Sequence, residues 1–339
     1  MTTSTMRALV YEGPLSMVMR TLPAPTPGHG DVVVRVAYSG ICGSELSGFL
    51  GQSSIRTPPL VFGHELSGHV AAVGEGVEGV VVGSAVTANP LVTCGACRYC
   101  VSEREQLCPR RLLLGASLPG CNAELVRVPA ASLLAIPVGM DLASAALVEP
   151  AAFALHAVET SGLRPGGTAL VVGAGPIGLL IAQALVAAGS SSPLMSELNP
   201  ARAAQAERAG STLVAVDDVR PLTGGDGVEV AFDAVGSEAS RRACFGSLAP
   251  GGRLVLVGLH TDETSLPLNV AVRNELTVTG VFAYRPAHVE AALAHLAAGS
   301  LGLREGVVAA PLSDGASWYE RLVAGDPASK VLLMPGGQP

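Results

Sequence analysis

The sequence predicts an α/β protein in two parts, a β-rich portion and a doubly wound parallel sheet, and three observations predict it. Its 339 residues are about twice the usual length of one domain. Its first third reads as short strands and turns, and from about Leu142 onward Ala-rich helical stretches alternate with apolar strands. Hydrophobic residues are 49% and charged residues only 14%, which gives enough apolar surface for two cores and excludes disorder.

In chain order, the β-rich portion opens with MRALVYE and SMVMRTL, bends at Pro23, Pro25 and Pro27, and continues with DVVVRVAYS and Val-rich runs near 70 to 87. The alternating part supplies the strands TALVV, PLMS, VEVAF, RLVLVGL and LTVTGVF, separated by helices such as 200–209 and 237–248. Residues 283–339 hold a helix, PAHVEAALAHLAAG, and a closing apolar segment, KVLLMP. One stretch, Gly166 to Ser196, is free of charge for 31 residues and has the length of a membrane span. Its glycines, prolines and Gln183 instead divide it into strand, turn, helix and strand, so a buried βαβ unit is expected.

A net charge of -7 leaves no basic field for nucleic acid or anionic lipid. The N-terminus carries Arg7 and Glu12 where a secretory leader needs an unbroken apolar run, so a cytoplasmic location is expected. Lys330 is the sole lysine among the basic residues, a bias that reads as codon usage rather than mechanism.

Two motifs carry chemistry. After the strand Thr168 to Val172 comes Gly173-Ala174-Gly175-Pro176-Ile177-Gly178, opening a helix that stops at Gly189. Gly173 allows the tight turn, Gly175 lets backbone approach a pyrophosphate, Gly178 permits close helix-to-strand packing, and the helix N-terminus offers free N–H groups to phosphate. Glu197, 19 positions beyond Gly178, ends the next strand where a ribose-binding carboxylate is expected. A carboxylate repels a 2′-phosphate, so NAD is expected rather than NADP, with Arg202 nearby as the opposing signal.

The second motif is the cysteine cluster. Seven cysteines, an odd number, in a chain expected to stay in a reducing interior point to metal or catalysis rather than disulfides. Cys94, Cys97, Cys100 and Cys108 can close the tetrahedral thiolate shell that zinc prefers at a structural site. Cys42, Cys121 and Cys244 stand apart, and Cys244 in its helical pattern reads as core.

Taken together, GICGSE at 40–45, GHELSGHVAAVGEGV at 63–77, NPLVTCGACRYC at 89–100 with Cys108, LVEPAAFALHA at 147–157 and GAGPIG at 173–178 resemble the zinc-dependent medium-chain dehydrogenase/reductase family, the alcohol dehydrogenase superfamily, in its polyol (sorbitol-like) branch. The resemblance implies a GroES-like catalytic domain from residues 1–151 and 282–339 around a Rossmann domain at 152–281, with the active site in the cleft between them. By that similarity Cys42 and His64 look like ligands of a catalytic zinc, with Glu149 where polyol-type members place a carboxylate and Glu65 either behind the ligands or an exchangeable ligand, so that which glutamate binds the ion directly stays open. Two zinc ions per chain are then expected. Ser44 resembles the family's hydroxyl relay. The implied reaction is hydride transfer between NAD and a secondary alcohol of a polyol, amino-polyol or sugar-like small molecule, in a homodimer or homotetramer.

Two departures stand out. Ser47 occupies the position where many members carry a histidine, and a serine cannot act as the terminal base of a proton relay near neutrality. Cys121 and Asn122 stand where relatives usually have an apolar or aromatic pair; they are expected to pack in a turn, the other reading being that they border the substrate cleft, where Asn122 would add a hydrogen-bonding group. Two other readings stay open at this point: a reductase of C=C, C=N or carbonyl groups on the same fold, and a non-catalytic nucleotide-binding protein.

Overall fold

The computed structural model describes residues 4–336, and the chain divides into two compact units. The first takes the chain up to Glu149, Arg285–Ala298 and the segment from Val307 onward; the second takes Pro150–Tyr284 and Gly299–Gly306. The last piece departs from the expectation that all of 282–339 joins the β-rich unit. Its attachment has a clear cause, because the Gln183 amide donates to the Gly302 carbonyl (2.9 Å) and accepts from the Gly302 N–H (2.8 Å), and Arg208 pairs with Glu305 (3.0 Å).

The main sheet of the first unit runs in the spatial order Leu133–Ala135, Ala85–Ala88, Glu65–Val73, Asp31–Gly40, Lys330–Met334 and Val307–Pro311, with Leu125–Pro129 also paired to Asp31–Gly40. Val32, Val34 and Val36 alternate along the central strand and pack with Leu66, Val70, Val86, Val126 and Val128, the period-2 pattern of a strand with one face in the core. The closing strand, Lys330–Met334, is buried throughout and pairs antiparallel with the end of Asp31–Gly40, Leu332 opposite Gly40 and Leu333 opposite Ser39. A second cluster gathers Leu9, Tyr11, Phe49, Phe62, Trp318 and Tyr319. Tyr11 stacks on Phe62 at 4.8 Å between centroids, and Phe62 meets Tyr319 edge-on at 6.1 Å.

In the second unit six parallel strands lie in the order Thr212–Leu213, Leu194–Ser196, Ala169–Val172, Val228–Asp233, Leu248–Leu256 and Thr277–Gly280. The reversal of order beside Ala169–Val172 is the switch point of a dinucleotide fold. All four residues of that strand are buried, as a parallel sheet covered on both faces requires. The charge-free stretch resolves into the strand Ala169–Val172, the helix Pro176–Ala187 and the strand Leu194–Ser196, and no helix among the described residues is long and apolar enough to cross a membrane. The strand expected at RLVLVGL starts earlier, at Leu248, and stops at Leu256, because the Val257 and Gly258 N–H groups turn to the Asp233 carbonyl (3.1 and 2.8 Å). Cys244 is fully buried in the helix Glu238–Gly246.

Gly68 marks where the first sheet tolerates no side chain. Its strand shifts register against Asp31–Gly40 between Val36 and Tyr38, and a Cβ at Gly68 would press directly on the Arg35 carbonyl, with the Ala37 nitrogen 3.1 Å away. Backbone cannot yield as a flexible side chain does. Gly68→Ala should therefore destabilise the β-rich unit by about 1–3 kcal/mol, read as a drop of several degrees in its melting transition; an unchanged transition would contradict this account.

Candidate active site and metal centres

The strand Asp31–Gly40 ends in a tight turn that leads into the helix Gly43–Phe49. Cys42 is that helix's N-cap residue, and Ser44 and Glu45 lie in its first turn. Gly40 is opposite Glu65 in the ladder, and a Cβ on Gly40 would fall on the Glu65 carboxylate, so the first glycine of GICGSE makes room for that side chain. Gly63 has φ +105°, a backbone conformation glycine supplies without steric cost, and it places His64 immediately before the strand Glu65–Val73.

This local geometry brings Cys42, His64 and Glu65 together, with one ligating atom from each within 4.8 Å of the others. His64 is 3% exposed and Glu65 1%. Each is held from behind by a buried partner. Glu45 Oε1 lies 2.8 Å from His64 Nδ1 and also accepts the Gly63 N–H at 2.9 Å, which fixes the ring and leaves the other nitrogen for the Cys42 side. Lys330 Nζ donates to both oxygens of Glu65 at 2.7 Å and to the Ile41 carbonyl at 3.1 Å. Burial opposes a charged ring, yet Cys42 and the Glu45 carboxylate outweigh it and push His64 well above the usual imidazole range. Burial likewise opposes the Lys330 ammonium, but Glu65 first, then Cys42 and Glu149, hold it above its ordinary value.

Glu149 opens the helix Val148–Ser161 and lies outside the converging trio; its charge reaches the site through Lys330. Ser44 donates to Cys42 Sγ at 3.4 Å. Within GICGSE the sequence alone gives Glu45 no role, and Lys330 reads as compositional bias, yet both are buried against the candidate ligands. A solitary lysine in an apolar closing strand was the available signal. Cys121 and Asn122 are fully buried, as a packing role requires, with Ser39 Oγ donating to Asn122 Oδ1 at 2.6 Å and Asn122 Nδ2 donating to the Tyr319 hydroxyl at 3.0 Å. That hydroxyl in turn donates to Glu45 Oε2 at 2.6 Å. Burial raises Glu45's carboxyl, but His64 and then Arg56 pull it below the ordinary range.

The second centre is a loop. Cys94, Cys97, Cys100 and Cys108 converge, with sulfur separations of 3.5 Å (Cys97–Cys100), 3.5 Å (Cys94–Cys108) and 3.8 Å (Cys94–Cys100). Zinc–sulfur bonds of about 2.3 Å in a tetrahedron require edges of about 3.8 Å, so the four thiols fit one zinc ion. The Ala96 N–H, then the Arg110 side chain, outweigh desolvation and bring Cys94 down to about 5, a thiolate at neutral pH. Burial and the neighbouring sulfurs push Cys100 up to about 11. The mixed S, N and O donors of the first centre fit a catalytic ion, which keeps a coordination position open.

In the second unit Gly173 (φ +102°) leaves the strand Ala169–Val172, Gly175 caps the helix, and Pro176 and Ile177 form its first turn. No side chain caps that helix, so its first N–H groups are available to an anion. A Cβ at Gly178 would fall directly on the Gly173 carbonyl, which is the close packing expected of the third glycine. Glu197 accepts from the Ala174 N–H (2.8 Å) and the Asn199 N–H (2.7 Å), which holds its carboxylate beside the glycine turn. Arg202, half-buried, lies in the first turn of the helix Pro200–Arg208.

Comparison with known proteins agrees with this architecture. Residues 28–138 match the family model of the alcohol dehydrogenase GroES-like domain, and residues 176–298 match that of the zinc-binding dehydrogenases. The chain is 32% identical over 293 residues to sorbitol dehydrogenase of Bacillus subtilis, covering 82% of each protein. It matches the crystal structure of 2R,3R-butanediol dehydrogenase from Bacillus subtilis with a TM-score of 0.89 and 30% identity, covering 98% of this chain and 100% of that one. A zinc-binding dehydrogenase structure from Sinorhizobium meliloti, bound to NADP, gives a TM-score of 0.91 at 28% identity, covering 98% of this chain and 100% of that one.

Two outcomes follow from the geometry. Lys330→Met leaves Glu65 buried without its cation and should cost about 3–5 kcal/mol of stability, measured by denaturant unfolding; a loss below 1 kcal/mol would contradict the buried pair. Because His64 binds its proton well above the usual range, a metal must displace that proton. Zinc affinity of the metal-free protein at this centre should therefore go on rising with pH above the ordinary imidazole range, with proton release, read by calorimetry in buffers of different ionisation enthalpy; a pH-independent affinity would count against it.

Proposed function

Because the chain belongs to the zinc-binding alcohol dehydrogenase family, we propose that it oxidises a secondary alcohol of a polyol-like substrate with NAD as hydride acceptor, and reduces the matching ketone in reverse. The observation that carries this reading is the convergence of half-buried Cys42 with buried His64 and Glu65, a donor set suited to a Lewis-acidic ion. The likeness to sorbitol dehydrogenase and butanediol dehydrogenase supports a hydroxyl next to another hydroxyl as the substrate feature. Glu197 beside the glycine turn supports NAD, although a relative of similar fold binds NADP. Retention of the S, N and O donors argues against a zinc-free reductase of double bonds.

Bound at these two places, zinc would acidify a substrate hydroxyl and NAD would accept a hydride. Cys42, His64 and Glu65 would hold the catalytic ion, and the four-cysteine loop a structural one. Glu45 keeps the His64 ring in one orientation, and Lys330 balances the carboxylate of Glu65. Glu149 adds negative charge to the same region. Ser44, next but one to Cys42 and half-buried, has the hydroxyl suited to take the substrate's proton. Ser47 supplies no base beyond it, so the proton that Ser44 releases would leave to solvent rather than to a side chain at position 47. Clustered thiols that need reducing conditions support a cytoplasmic location. The strand Thr277–Gly280 ends its sheet, with Val278 in it 44% exposed and Phe282 just beyond it 42% exposed, which supports a homodimer or homotetramer built across that edge.

Absorbance at 340 nm with polyols, amino-polyols, 2,3-diols and simple alcohols, each with NAD and NADP, tests the reaction. Turnover should be highest with a vicinal diol or polyol and NAD; nucleotide binding without turnover would favour a non-catalytic protein, and higher efficiency with NADP would reverse the cofactor assignment. Glu65→Gln should release the catalytic ion while Glu149→Gln keeps it, read as zinc per chain falling from two to one in the former alone. Light scattering should give two or four chains per particle; a monomer would count against assembly through that edge.

A further inference from the structure

We propose that Arg56, which lies outside both metal centres and the glycine turn, is a positioning residue that fixes the hydroxyl of Ser44. Arg56 is 6% exposed, and three of its N–H groups are spoken for. Nη2 donates to Ser44 Oγ at 3.1 Å, Nη1 to the Ser44 carbonyl at 3.0 Å, and Nε to the Gly115 carbonyl at 3.1 Å. The guanidinium also lies over the Phe62 ring, 5.6 Å from its centroid. Gly48 makes space for it: a Cβ there would stand 2.6 Å from Arg56 Cδ. A buried cation clamped at both ends to one serine exceeds what a loop anchor needs.

The chemistry follows from the inventory of donors. A serine hydroxyl has one hydrogen and two lone pairs, and a guanidinium has donors only. With Arg56 on one lone pair, the Ser44 hydrogen cannot turn toward Arg56 and points elsewhere, in this structure to Cys42 Sγ at 3.4 Å. One lone pair remains to accept a proton on one side, and the single hydrogen, lent here to Cys42 Sγ over a long 3.4 Å contact, is the one to be given on the other. A charge-assisted donor also polarises the O–H bond. A freely rotating hydroxyl thereby becomes a fixed two-ended relay, in a chain whose position 47 offers no histidine to organise it. Lysine cannot replace arginine here, since a single ammonium cannot span Ser44 Oγ, the Ser44 carbonyl and the Gly115 carbonyl together.

This inference rests on the reading of Ser44 as the relay, and a double-mutant cycle separates the two. Wild type, Arg56→Lys, Ser44→Ala and the double variant are compared as full-length, zinc-loaded chains, using the diol or polyol that wild type turns over fastest. Expected are a loss of about 100-fold in kcat for Ser44→Ala, about tenfold for Arg56→Lys with KM within about twofold, and no further loss when Arg56→Lys is added to Ser44→Ala. The solvent deuterium isotope effect on kcat should rise in Arg56→Lys. Melting temperatures of the four metal-free proteins give an independent cycle, in which the two losses should be non-additive. A tenfold loss from Arg56→Lys that persists in the Ser44→Ala background makes Arg56 a structural anchor only and overturns the proposal. Full activity of Arg56→Lys beside a slow Ser44→Ala overturns it while sparing the relay. Wild-type rates in Ser44→Ala overturn the relay reading and the proposal together. If Arg56→Lys does not fold, the same cycle with Arg56→Gln decides by the same outcomes.

Discussion

The cost of burying charge governs the first unit. His64 and Glu65 can stand beside the half-buried Cys42, themselves out of water, only because each of the two is answered by another group. Lys330 binds both oxygens of Glu65, and Glu45 meets the imidazole of His64. A buried carboxylate without such a partner would protonate, and a buried imidazole without one would lose its orientation. The partners come from distant parts of the chain. Lys330 belongs to the closing strand, which must therefore pair with Asp31–Gly40 for the site to exist. Core packing and site assembly are thus one event here: the apolar side chains of Lys330–Met334 supply the driving force, and the lysine at its edge arrives as cargo.

Behind the ligands a second layer of polar groups is bonded from residue to residue. Glu45 receives the Tyr319 hydroxyl, Tyr319 receives Asn122, and Asn122 receives Ser39. Burial and Glu45 push the Tyr319 phenol well above its ordinary range, so it remains a donor. The aromatic cluster of Tyr11, Phe49 and Phe62 excludes water around that chain, which strengthens each bond and makes each costly to break. The four-cysteine loop works on another principle. Its sulfurs are spaced as a tetrahedral ion would space them.

Much of the dinucleotide unit was legible from local pattern. A buried parallel strand, a turn with φ above zero and a helix start each leave their own residue types, so Val171, Gly173 and Pro176 could be read one after another. The cysteine loop was legible for the same reason, since its four donors lie within fifteen residues of chain. Strand ends were less so: Leu248–Leu256 begins before its apolar run because ladder bonds, rather than hydrophobicity, set where pairing begins and stops. The attachment of Gly299–Gly306 to the second unit depended on one glutamine, Gln183, whose partner lies 119 positions away.

From the sequence alone came the two-part α/β architecture, the phosphate-binding turn, the thiolate loop, and Cys42, His64, Glu65 and Glu149 as a dispersed set carried by family resemblance. These are properties of short segments, whose backbone demands and donor spacings are written in adjacent residues. Tertiary structure alone brought Glu65 beside Cys42 and His64, set the solitary lysine against it, and placed Glu45 and Arg56 on His64 and Ser44. Those pairings are long-range Coulombic and hydrogen-bond contacts, and their partners become neighbours only after strand pairing has closed the chain on itself.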